Sequence, residues 1–244
     1  MSQKKHNKHD LEVSKLNKLF ARGVSNESIK KGLLVLKEFP RSYILHNIIG
    51  LAYTANERFD KAEDHYKKSI KLNPKSSLTF ENYGNLLKTI GRIEGAIDNY
   101  KKSINLNPKN YKGLNNLAIT LMGEELFHEA IKVLNKAINI NSKNYLAHLN
   151  MGNIYKDLDL NFEAIKHYQL ALRDNENHIG LRNNLGLVLV RERRYEEALK
   201  HYLFLIKSDP ENIRGLTNIS SLYRNTGRLK KSLEYIERAR LLNK

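Results

Sequence analysis

The sequence predicts an all-α solenoid of stacked helix pairs, and three observations predict it. A 34-residue period runs from about residue 43 to the end of the chain. Small and special residues keep fixed columns in that period: Pro74, Pro108 and Pro210; Ala62, Ala96, Ala130, Ala164 and Ala198; Gly50, Gly84, Ala118, Gly152, Gly186 and Ser220. Apolar residues fall at helical spacing in both halves of each unit, as in Leu114, Leu117, Ala118 and Leu121, then Ala130, Leu134, Ala137 and Ile138. A period of this length marks units that bury their apolar faces against neighbours rather than in one central core.

The elements follow in order. Residues 1–8 are basic and read as a flexible tail. Residues 9–42 read as a degenerate leading helix pair: Pro40 keeps the proline column, but Ser28 and Gly32 stand in the alanine and aromatic columns, and Lys15 replaces an apolar residue. Six full units occupy 43–76, 77–110, 111–144, 145–178, 179–212 and 213–244. The small residue of each helix lets the two backbones approach closely. Turns such as Thr89-Ile90-Gly91-Arg92 and Asn225-Thr226-Gly227-Arg228 place glycine where a helix end needs a left-handed residue. Asn73-Pro74, Asn107-Pro108 and Asp209-Pro210 stop one unit and admit the next, because the residue before proline avoids the helical region.

Composition narrows the function. The chain has no cysteine, which excludes disulfides and cysteine-based metal sites. No run approaches the roughly 18 apolar residues of a membrane span, and no apolar stretch follows the basic start as a signal peptide requires. A cytoplasmic protein without membrane association is therefore expected. The formal charge of +16 attracts polyanions. Many lysines, such as Lys67-Lys68 and Lys101-Lys102, flank the second-helix aromatic column and read as a solvated outer face. Nine of the 14 arginines lie after residue 178, including Arg191, Arg193, Arg194, Arg214 and Arg224, so this end favours an acidic partner.

These columns resemble the tetratricopeptide repeat, over about four-fifths of the chain. The departures are Ser142 and Glu176 in the proline column and Ser232 in the alanine column. The resemblance implies a right-handed superhelical solenoid whose first helices line an inner groove, and a role in protein–protein recognition.

One column answers to no folding rule. Asn82, Asn116, Asn150, Asn184 and Asn218 stand 34 residues apart in five consecutive units. At about 100° per residue, the column points roughly 150° from the centre of the first helix's apolar face, toward the groove. Asn85 and Asn153 lie one turn further along. A side-chain amide offers donors and an acceptor together, so a row of them suits a peptide backbone; the same amides could instead tie adjacent first helices. The row resembles the asparagine ladder of the O-linked N-acetylglucosamine transferase family, which holds extended polypeptide. That resemblance covers the five ladder positions only, and Ile48 departs from it. Lys88, Lys156 and Arg224 share a column flanking the groove and would add charge preference.

A rival arrangement is the carboxylate clamp of some tetratricopeptide cochaperones, matched here by Asn153, Asn184 and Arg214, but with Leu149 where a clamp lysine belongs and Asn218 where its arginine belongs. His65, His167 and His201 share an outer column too widely spaced for a metal within one unit, and His46 and His148 read as packed aromatics. No catalytic motif appears. The expected function is a non-enzymatic scaffold, without cofactor or metal, that binds an extended and preferably acidic polypeptide. The alternatives are the substrate-recruiting region of a longer glycosyltransferase or sulfotransferase-like enzyme and, less favoured, a nucleic-acid binder.

Overall fold

The computed structural model describes residues 3–243, with side chains from residue 6 onward. The described residues form fourteen α-helices and no strand. The helices fall into two compact units, divided between Glu124 and Glu125.

The first unit holds α1 (Gln3–Ala21), α2 (Ser25–Glu38), α3 (Tyr43–Ala55), α4 (Phe59–Leu72), α5 (Ser77–Thr89), α6 (Ile93–Leu106) and α7 (Tyr111–Gly123). The second holds α8 (Phe127–Ile140), α9 (Tyr145–Asp157), α10 (Asn161–Asp174), α11 (Ile179–Arg191), α12 (Tyr195–Ser208), α13 (Ile213–Asn225) and α14 (Leu229–Leu241). Within each unit, consecutive helices pack as antiparallel pairs, and first helices of successive repeats also touch: α3 with α5, α5 with α7, α9 with α11, and α11 with α13. The repeat at 111–144 is the one whose two helices belong to different units.

A column of caps explains where each first helix starts. Ser42, Ser76, Asn110, Asn144, His178 and Asn212 stand 34 residues apart. Each side chain accepts the backbone N–H three residues on, from Leu45, Thr79, Gly113, Ala147, Leu181 and Gly215 respectively, meeting one donor that the first turn leaves without a partner. The second helices have no such side-chain cap. They follow a left-handed residue instead: Gly91 and Gly227 at φ 76° and 74°, but also Glu57, Glu125, Asp159 and Arg193 at 56–57°. The left-handed turn therefore recurs in every full repeat, with glycine in only two of the six. The residues before proline, Asn73, Asn107 and Asp209, are extended at φ −141°, −136° and −145°. Asn141 and Asn175 take the same form without a proline after them.

The core of four of the six full repeats is a tyrosine against a glycine. Tyr66, Tyr100, Tyr168 and Tyr202 are fully buried, and their rings lie against Gly50, Gly84, Gly152 and Gly186. A Cβ at Gly152 would stand 2.5 Å from the Tyr168 ring, so the small column exists to admit the ring. In the 111–144 repeat the same two columns carry Ala118 and Leu134, a larger residue set with a smaller one.

The leading pair differs from expectation at its start. Helix α1 begins at Gln3, inside the segment read as a flexible tail. Lys8 pairs with Glu38 at 2.7 Å and His9 Nε2 meets the Ser42 hydroxyl at 2.7 Å, contacts that hold the early turns of α1 against the start of the repeats. Residues 1–2 lie outside the described residues. Lys15 is exposed and pairs with Glu12, while Leu16 beside it is buried with Phe39, Leu45 and Ile48.

Candidate functional site

The ladder asparagines occupy the sixth residue of α5, α7, α9, α11 and α13. Asn82, Asn116, Asn184 and Asn218 stand in the seams between neighbouring first helices rather than fully out in a groove. Asn82 and Asn150 are buried and Asn116, Asn184 and Asn218 half-buried.

The amide nitrogens of four of them point back to the preceding first helix. Asn82 Nδ2 donates to Asn47 Oδ1 at 3.0 Å, Asn116 Nδ2 to Glu81 Oε1 at 3.3 Å, and Asn218 Nδ2 to Asn183 Oδ1 at 2.7 Å. Each spans 35 residues. The residue 35 before Asn184 is Leu149, which has no acceptor, and Asn184 Nδ2 donates instead to Asn153 Oδ1 at 3.1 Å. Asn150 Nδ2 is buried with no hydrogen-bond partner among the described residues. Interhelix tying, left open by the sequence, thus accounts for one N–H of four ladder amides. Each bond uses one of an amide's two donors and leaves its carbonyl oxygen uncommitted by that bond.

The second row is committed further. Asn85 Oδ1 accepts the Tyr100 hydroxyl at 2.7 Å, and Asn153 Oδ1 accepts the Tyr168 hydroxyl at 2.8 Å besides Asn184. Burial pushes the Tyr100 phenol up to about 12, so it stays a neutral donor. The flanking cations stand in last helical turns: Lys88 in α5, Lys156 in α9 and Arg224 in α13. Positive charge there complements the helix dipole whatever else it does. Lys156 pairs with Asp157 at 3.1 Å, whereas Arg224 is exposed.

In the second unit, Asn153, Asn184 and Arg214 line one recess of about 300 Å³ with Leu149, Asn183 and Leu205. Two larger hollows, of about 570 and 560 Å³, flank α1, and one of about 370 Å³ lies at the start of α8; none of the three is lined by a ladder asparagine. Of the arginines that suggested an acidic partner, several already have acids. Arg191 meets Asp159 at 3.1 Å, Arg194 meets Glu197 at 2.7 Å, and Arg228 meets Glu196 at 3.4 Å. Arg193 and Arg214 are exposed.

Sequence reasoning missed two histidine pairs. His46 Nδ1 lies 3.1 Å from His65 Nδ1, and His148 Nδ1 lies 3.1 Å from His167 Nδ1. The histidine column was read only against itself, whereas its members meet the first-helix histidines 19 residues earlier. His65 and His167 are half-buried rather than on a solvated outer face. Burial, then the neighbouring His46 and Lys68, push His65 from its ordinary 6.5 down to about 4. Burial, then His148 and Lys166, do the same to His167. Among the described residues, no three His, Asp or Glu side chains converge as metal ligands, and no helix is long and apolar enough to cross a membrane.

Tetratricopeptide repeat models match residues 43–76, 79–110 and 183–242, and a model described as TPR repeat matches 127–159. No curated protein matches the chain. Among solved structures, MamA is 27% identical at a TM-score of 0.62, covering 66% of this chain and 94% of its own. YrrB, described as a TPR protein with an unusual peptide-binding site, is 23% identical at a TM-score of 0.62, covering 72% of this chain and 91% of its own. Pseudomonas aeruginosa pilF is 19% identical at a TM-score of 0.70, covering 79% of this chain and 88% of its own. The last two show a shared fold. Repeat columns, capped helix pairs and these matches together make the chain an all-α solenoid built of tetratricopeptide repeats.

Proposed function

We propose that the chain is a protein-interaction scaffold whose first helices hold an extended polypeptide segment through the ladder amides. The observation that carries this is the common setting of Asn82, Asn116, Asn184 and Asn218. Each is oriented by a bond to the preceding first helix, so the half-buried Asn116, Asn184 and Asn218 offer their remaining polar atoms without the entropy cost of a free side chain. Pairing through amides reads the peptide backbone and leaves the bound sequence loosely specified. Lys88 and Arg224 favour acidic side chains in that segment, since like charges would be repelled and opposite ones drawn in. Lys156, paired with Asp157, contributes less.

Fluorescence anisotropy with a panel of labelled extended peptides, acidic and neutral, tests the proposal. The expected result is that Asn116→Ala, Asn150→Ala and Asn184→Ala together weaken binding by tenfold or more. Circular dichroism must show the helical content retained. Peptide affinity left unchanged in the folded triple variant refutes the ladder's role. Binding that collapses steeply with salt for nucleic acid, and is absent for every peptide, points to a nucleic-acid binder instead.

A further inference from the structure

The two histidine pairs are built alike. In the first, His46 projects from α3 and His65 from α4; in the second, His148 from α9 and His167 from α10. The Nδ1 atoms stand 3.1 Å apart in both, with ring centroids 5.0 and 5.3 Å apart. A tyrosine ring lies against the second histidine each time, Tyr53 at 5.5 Å from His65 and Tyr155 at 5.4 Å from His167. The first histidine of each pair also has backbone of the preceding loop beside its ring, Pro40 for His46 and Ser142 for His148. These residues, too, occupy one column of the repeat. A carbonyl there can accept an Nε2–H, which would leave the Nδ1 lone pair turned to the other ring. Metal-binding histidines are held in this way, with the second ring nitrogen on a carbonyl or carboxylate.

We infer that His46 with His65, and His148 with His167, form two bidentate sites for a divalent cation that prefers imidazole, of the zinc, copper or nickel class. Two nitrogens on one such cation at about 2.0–2.1 Å lie about 2.9 Å apart in a square arrangement and about 3.3 Å apart in a tetrahedral one. The observed 3.1 Å falls between them. Both rings are neutral ligands, and the pair shares one hydrogen between its Nδ1 atoms. On binding, that proton transfers to Nε2 of the same ring through solvent, so no net proton is released. The two Nδ1 lone pairs then face the cation, and water completes its shell. His46 and His148 are buried, while His65 and His167 are half-buried and give the approach. The charges nearby differ. Lys68 acts on both rings of the first pair, with Asp64 near His65, whereas Asp174 acts on His148 and Lys166 on His167. The 179–212 repeat has no such site, because Arg182 takes the first place and sets its guanidinium 3.4 Å from His201 Nδ1.

Isothermal titration of the full chain with zinc chloride alone, beside His65→Phe, His167→Phe, the double variant and His201→Phe, tests this. Phenylalanine keeps a ring in the packing. Each pair variant should remove one binding equivalent and the double variant two, with His201→Phe unchanged. Equal zinc uptake in the native chain and the double variant overturns the inference, as does an equal loss in His201→Phe. If the double variant does not fold, imidazole nitrogen spectra of the native chain decide. Zinc should move the Nδ1 signals of these four rings; zinc that moves only other histidines overturns the inference.

Discussion

Replacing Gly152 by alanine sets two opposed effects against each other, and the structure decides the sign. In an exposed helix the change gains about 1 kcal/mol from backbone entropy. Here the new Cβ would stand 2.5 Å from the Tyr168 ring, against an ordinary contact of 3.4–4 Å. The ring must therefore retreat by about 1 Å into a fully packed position, and such overpacking costs roughly 1–3 kcal/mol. Tyr168 is 0% exposed and its hydroxyl is held by Asn153 at 2.8 Å, so it has no free direction to move. The expected net effect of Gly152→Ala is a loss of about 0–2 kcal/mol. In a Tyr168→Leu background the ring is gone, and the same change should stabilise by up to about 1 kcal/mol. The coupling between the two sites is then about 1–3 kcal/mol, read from a double-mutant cycle by urea denaturation followed at 222 nm. If Gly152→Ala stabilises the native chain as much as it stabilises the Tyr168→Leu variant, steric fit to the ring is not why the column is small.

Two other expectations are simpler to test. Glu57 holds a left-handed backbone at φ 57°, so Glu57→Gly should raise the urea midpoint by an amount equivalent to about 1 kcal/mol, and Gly91→Ala should lower it similarly; a fall for Glu57→Gly contradicts this. His65 and His167 titrate near 4 in the fold against an ordinary 6.5, so between those values the unfolded chain binds protons that the folded chain does not. Stability should therefore fall as pH drops from about 6.5 to about 4, and level off below. Thermal melts of His65→Phe and His167→Phe across that range should show a shallower slope than the native chain.

The repeat architecture was legible because each column has one physical cause that recurs every 34 residues. Left-handed turn, small residue and tyrosine each solve one local problem in the same place; the cap column does too, but it was not read from the sequence. The turn column was nevertheless seen only in part. The turn was inferred from Gly91 and Gly227, whereas Glu57, Glu125, Asp159 and Arg193 take the same conformation. Packing of the two helices fixes the chain direction there, and it overrides the preference of a side chain for negative φ. The asparagine column was legible as a column, but its hydrogen-bond direction needed the acceptors. The signal was present in Asn47, Glu81 and Asn183, each 35 residues before the donor it receives. The histidine pairs were missed for a similar reason. Contacts across the two helices of one repeat join different columns, so comparison down a column cannot reveal them.

The backward-pointing amides have one further consequence. In each unit the donors run from a later repeat to an earlier one: Asn82 to Asn47 and Asn116 to Glu81 in the first, Asn184 to Asn153 and Asn218 to Asn183 in the second. Glu81 accepts only, which leaves no doubt about the end of Asn116 that faces it. A row of dipoles turned the same way has a head and a tail. A strand threaded along it meets acceptors and donors in one order when it runs with the repeats and in the opposite order when reversed. The surface thereby carries polarity of its own, and under the proposed binding role a guest chain would be sorted by its direction before its side chains are read.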